Sequence, residues 1–93
     1  GSLVLDAGAV AVLQRGGKSL LSVGVLKVAG GFRRGDMVSC LNEAGAEIAR
    51  GLVNYDAVDT QKITGLPSDK ILAVLGYCHE PELIHRDNLV LIS

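Results

Sequence analysis

Lys18 and Ser19, which follow Gly16-Gly17, are residues whose types and setting could hold a phosphate. A glycine loop supplies free backbone donors, and an ammonium and a hydroxyl complete the set. A nucleotide-binding P-loop also needs a glycine five residues before Gly17, where this chain has Val12. It must leave a strand and open a helix, whereas here the helical pattern comes first. The stretch therefore reads as a helix-ending loop able to touch a phosphate. His85-Arg86-Asp87 spells the catalytic triplet of protein kinases, but Asn88 follows Asp87 directly, where a metal-binding Asn belongs five residues later. No kinase fold fits in 93 residues. Cys78-His79, Cys40 and His85 offer ligand atoms without the close pairing of a structural zinc site. Arg34-Gly35-Asp36 spells an adhesion tripeptide and reads as a turn, with Gly35 free to take positive φ and Asp36 bonding locally. Ser, His and Asp are all present, but no Gly-x-Ser-x-Gly nucleophile turn is. What remains is a set of binding groups rather than catalysts. Arg15, Lys18, Ser19, Arg33, Arg34 and Arg86 are the candidate contacts to RNA, to a phosphate or to another domain. No catalytic, cofactor-binding or metal-binding residue is assigned.

Composition limits what these groups can do. Net charge is −1, with nine basic and ten acidic side chains. The first 53 residues carry six basic against four acidic groups, +2, and the remaining 40 carry three against six, −3. A mild basic bias of this kind is more often a solvated surface than a phosphate footprint. Aromatic residues make up 3% of the chain, so no stacking platform for single-stranded nucleic acid is available. The core must be built from Val, Leu, Ile and Ala. Two cysteines do not make a disulfide scaffold, and Cys40, mid-strand among apolar neighbours, reads as a small core residue. No run is long enough to span a bilayer and no signal peptide is present, so a soluble cytoplasmic protein is expected.

The elements that position the candidates follow from periodicity. Leu3-Val4-Leu5 suits a strand, and Asp6 can cap a helix whose face is Ala9, Val10, Val12 and Leu13, stopped by Gly16-Gly17. Leu20 to Val28 reads as one strand, or a loop running into one, broken by Gly24. Phe32 to Tyr55 reads as a hairpin. Its apolar residues fall on both parities, so coverage on both faces or curling into a small barrel is expected. Gly51 is assigned the bulge or bend that closure needs. Asp56 caps a helix to Ile63, and Ser68 caps another with Ile71, Leu72, Val74 and Leu75 inside. Asn88 to Ile92 is the last strand. The expected fold is α+β and β-rich: about six short, mostly antiparallel strands in a barrel-like sheet with flanking helices.

Several blocks stand in a fixed order: Asp6-Ala7-Gly8-Ala9, Lys18-Ser19-Leu20-Leu21, Phe32-Arg33-Arg34-Gly35-Asp36, and Ile48-Ala49-Arg50-Gly51-Leu52-Val53-Asn54-Tyr55. Ile71 with Leu75-Gly76-Tyr77 and His85-Arg86-Asp87-Asn88-Leu89 complete the series. By these blocks the whole chain resembles the C-terminal PUA domain of bacterial glutamate 5-kinases. Ser22-Val23 precede Gly24 where that family places Pro, which leaves the loop less rigid. The resemblance implies a PUA pseudobarrel over residues 1–93. It also implies a parent enzyme that phosphorylates the γ-carboxylate of glutamate with ATP and magnesium, in the first step of proline biosynthesis. Its kinase domain lies N-terminal to Gly1 and holds those cofactors, and the parent is a homo-oligomer. PUA domains of RNA-modifying enzymes bind structured RNA through regions matching Arg15 to Ser19 and His85 to Asn88, which gives the alternative function.

Overall fold

The computed structural model describes residues 1–92. Five strands form one mixed sheet: β1 (Ser2–Leu5), β2 (Val25–Ala29), β3 (Met37–Leu41), β4 (Glu47–Leu52) and β5 (Leu89–Leu91), in spatial order β2-β1-β3-β4-β5. Only β1 and β3 run parallel; the other neighbours are antiparallel. Three helices accompany them: α1 (Ala7–Gln14), α2 (Ala57–Ile63) and α3 (Ile71–Leu75). The open edges, β2 and β5, are drawn together by the segments that precede them. Leu20 and Ile84 form an isolated antiparallel bridge, N–H to O at 2.9 and 3.2 Å. Those two bonds turn a sheet into a barrel-like wrap, as expected of this α+β chain.

The core is aliphatic. Leu3, Leu5, Leu13, Val25, Val38, Cys40, Ile63, Ile71 and Ile84 are buried together, with Phe32 and Tyr55 as the aromatic members. Asp6 caps α1 as expected, its Oδ1 accepting the Ala9 N–H at 2.7 Å, and Asp56 caps α2 through the Asp59 N–H at 2.8 Å. Gly24 is where α1 meets the strand layer: a Cβ there would lie 2.5 Å from the Ala9 Cβ, so only glycine lets the helix approach.

Four expectations are corrected. Among the described residues there are five strands where about six were expected, and of the two readings of Leu20 to Val28 the loop running into a strand holds, with β2 beginning at Val25. Ser22–Gly24 forms a 3-10 turn, held by the Ser22 hydroxyl donating to the Leu66 carbonyl at 2.6 Å and its carbonyl accepting the Gly65 N–H at 3.0 Å. Ser22 is 1% exposed, so the residue standing in place of Pro is a tether rather than a loose joint. The β-bulge lies elsewhere than Gly51. Register shifts where Leu41 faces Glu47, leaving Ile48 as the extra residue, whereas Gly51 pairs regularly with Val38 and Leu89. That bulge also explains the mixed parity. Ile48 and Ala49 both point inward, while Met37 is 57% and Leu52 38% exposed, so of the two alternatives the hairpin takes the curled, barrel-like one, with a single buried face. Ser68 does not cap a helix. Its hydroxyl donates to the Pro81 carbonyl, and of the expected apolar face only Ile71 is buried, with Leu72 and Val74 exposed.

The bulge has a second effect. Residues three apart on a regular strand face opposite ways, yet Glu47 and Arg50 meet in a two-point ion pair, Nε–Oε2 and Nη2–Oε1 both at 2.9 Å. The Ser39 hydroxyl donates to the same carboxylate, and these two partners hold the Glu47 carboxyl below its usual range. The register kink is thereby pinned on its outer side.

Candidate functional site

The structure sorts the six sequence candidates into two places. Ser19 and Arg86 are brought together from opposite ends of the chain: the Ser19 Oγ accepts the Arg86 backbone N–H at 2.9 Å. The barrel-closing bridge between Leu20 and Ile84 lies next to this bond and forces it. Lys18 and Arg15, both exposed, belong to the same α1–β2 loop. Gly16 and Gly17 have φ of 80° and 68°, so the loop leaves α1 through left-handed backbone. It opens no helix at Ser19, and a triphosphate cradle is not formed there. His85 is spent on the same corner, its Nδ1 accepting the Asp87 N–H at 3.1 Å and capping the 3-10 turn Arg86–Asn88. An imidazole nitrogen accepting a backbone N–H acts as a structural cap.

Arg33 and Arg34 occupy a separate turn. Asp36 organises it, its Oδ2 accepting the Arg33 N–H at 2.9 Å and its N–H donating to the Arg33 carbonyl at 3.0 Å. Gly35 takes φ of 91° and donates its N–H to the Val53 carbonyl at 2.7 Å. Arg34-Gly35-Asp36 is the turn the residues led us to expect. Among the described residues none of Arg15, Lys18, Arg33, Arg34 and Arg86 forms an ion pair. Exposed unpaired cations bind anions or acidic surfaces and perform no chemistry on their own. Among the described residues no group of three or more His, Cys, Asp and Glu could hold a metal ion.

Two features were not read from the sequence. A cleft of ~330 Å³ lies between α1 and the segment after it, walled by Ala9, Val12, Leu20, Leu21 and Val23 and touching Ser19 and Asp6. Its signal was Val12 standing in the presumed buried face of α1, although it is 38% exposed. The second is an aromatic corner. Tyr55 and Tyr77 flank His79 at ring-centre distances of 5.4 and 4.7 Å. The Tyr55 hydroxyl donates to the Glu80 carbonyl at 2.5 Å, accepts the Glu80 N–H at 3.2 Å and lies 3.4 Å from the Cys78 sulfur. Burial raises the Tyr55 phenol above its ordinary value, with the Cys78 contact adding to it. Cys78 is exposed and unpaired while Cys40 is buried. Alkylation of the native protein at pH 8 should therefore modify Cys78 alone, and denaturant should release Cys40. Labelling of both thiols in the native state, read by peptide mass, would contradict the packing around Cys40.

Comparison with known proteins agrees with this architecture. The family model of the PUA domain matches residues 1–75. The chain is 64% identical over 92 residues to the glutamate 5-kinase of Pseudomonas fluorescens, covering 99% of this chain and 25% of that protein. It thus spans about a quarter of the length of the curated relatives it matches. Among solved structures, a PUA domain from Aeropyrum pernix in complex with tartrate aligns with a TM-score of 0.67 at 24% identity, over 92% of this chain and 41% of that one. A chain of an archaeal box H/ACA sRNP complex aligns with a TM-score of 0.63 at 15% identity, over 99% of this chain and 23% of that one. These likenesses establish the fold. Residues beyond the matched 75 belong to it physically, since Leu83 and Ile84 are in the core and β5 pairs with β4. With its five-stranded wrap, its ordered sequence blocks and its family match, the chain is a member of the PUA domain family.

Proposed function

We propose that this chain is the accessory C-terminal domain of a glutamate 5-kinase, acting through contact with an upstream kinase domain of the same polypeptide. The observation that carries this reading is 64% identity spread over nearly the whole chain, against a relative four times as long. In such an enzyme the upstream domain would transfer the ATP γ-phosphoryl group to the glutamate side-chain carboxylate, opening proline biosynthesis in the cytoplasm. The present residues would contribute positioning, stability or regulation. The described residues fit that division: they offer cations, a cleft and apolar patches, but no nucleophile–base pair. None of the described helices is long and apolar enough to cross a membrane.

RNA binding is the less supported reading. The α1 helix carries no charged side chain, and the cations divide between two turns rather than forming one track. The test is a comparison of the full-length enzyme with one truncated before Leu3. We expect the truncated enzyme to differ in thermal stability, magnesium dependence or inhibition by proline. Equal values for all three would overturn the reading, and salt-sensitive binding of structured RNA would favour the alternative.

A further inference from the structure

The outer face of the sheet has an apolar patch that the domain itself leaves uncovered. Met37 and Leu52 are directly opposed across β3 and β4, at 57% and 38% exposure. Val90, 63% exposed, lies beside Arg50 in the next strand and diagonal to Leu52, on the same face. The Arg33-Arg34 turn borders this patch, because Gly35 bonds to Val53 immediately after Leu52. Three apolar side chains rimmed by unpaired guanidinium groups match the mixed character of interdomain surfaces.

The β1–β3 pairing says what lies nearest to it. The two strands are parallel, with Ser2 opposite Ser39 and Leu3 opposite Cys40, and the Ser39 N–H donates to the Gly1 carbonyl at 3.0 Å. Continued one step upstream of Gly1, this register runs alongside Met37. In relatives of which this chain is a quarter, the preceding polypeptide would therefore arrive at the edge of the patch.

We propose that the Met37–Leu52–Val90 face, with Arg33 and Arg34 at its rim, is the docking surface for the upstream domain of the same polypeptide. The proposal rests on the accessory-domain reading above. The partner face is apolar at its centre and acidic opposite the two arginines. The α1 cleft, at Val12 and Leu21, remains outside this contact.

Met37 is the only methionine of these 93 residues, and the peptide that contains it reports on this surface. In the full-length enzyme treated with hydrogen peroxide, sulfoxide formation at Met37 should be at least ~10-fold slower than in free methionine, since oxidation needs access to the sulfur. The protection should be independent of protein concentration. Leu52→Glu should abolish it, and Val58→Glu, a control on an exposed part of α2, should leave it intact. Oxidation of wild-type Met37 at the free rate overturns the docking surface. So does protection that disappears on dilution, which would assign the patch to a second copy of the chain. If Met37 is free while truncation before Leu3 still alters the kinase, this surface is wrong and the accessory role stands. If Met37 is protected while truncation changes nothing, the contact is real and the regulatory role fails.

Discussion

Replacing Gly51 by Val is expected to cost the domain ~3 kcal/mol or more, and by Ala about 1–3 kcal/mol, the range for overpacking a closed site. The reason is space rather than backbone angle, because Gly51 is not among the glycines with positive φ. A Cβ on Gly51 would lie 2.6 Å from the Ile84 Cγ2, 2.8 Å from the Asn88 carbonyl oxygen and 3.1 Å from the Leu89 Cδ1. Ile84 could rotate away, but the Asn88 carbonyl belongs to the backbone entering β5. Making room means separating β5 from β4 and disturbing the Leu20–Ile84 bridge that closes the wrap. For a domain of this size each kcal/mol lowers the melting temperature by about 4–8 °C, so Gly51→Val should lose on the order of 15 °C. Gly31→Ala is the control, since nothing lies within 4 Å of its Cβ position and its φ is not positive. Equal melting temperatures for Gly51→Val and the parent would show that β5 does not seat against Gly51.

How much of this was readable beforehand depended on whether a feature is local. Asp6 and Asp56 were legible as caps because a cap is defined by the few residues after it. The Arg34-Gly35-Asp36 turn was legible for the same reason. The bulge was not, since alternation says that a register changes but not which of two adjacent residues is extra. Gly51 drew attention as a glycine in a strand, while the irregularity fell at Ile48, whose side chain carries no sign of it. Gly51 answers to Ile84, Asn88 and Leu89, 33 to 38 residues later, and no local pattern contains those contacts. Ser22 and Ser68 show the same limit. Each hydroxyl bonds a carbonyl far along the chain, at Leu66 and Pro81, so neither obeys the local rule that would make it a flexible joint or a cap. Of the candidate contacts, the six residues were nameable from charge and family likeness. Their division into a Ser19–Arg86 corner and a separate arginine turn follows only from barrel closure.

Cys40 should make the domain's stability fall in alkali. Its side chain is fully buried in β3, and burial, with a smaller contribution from the Glu47 charge, pushes the thiol from 9.0 to about 12. Between those values the folded protein keeps a proton that the unfolded chain releases. Stability therefore drops as pH rises through this window, and is unaffected by this group below pH ~9. At 1.36 kcal/mol per unit, the loss at pH 10.5 is about 2 kcal/mol. The Tyr55 phenol, also raised, acts in the same direction at higher pH and must be separated from it. Cys40→Ala does this, because it retains Tyr55 and removes only the thiol. Near pH 7 the variant should be the less stable by about 1 kcal/mol, for the small volume lost from the core. By pH 10.5 the order should reverse, because only the parent then carries a thiol that resists ionisation while folded. Urea melts under reducing conditions at both pH values decide the matter. Parallel pH curves for the parent and Cys40→Ala would mean that water reaches the sulfur, and that the inner face of the β3–β4 hairpin is less tightly closed than its packing indicates.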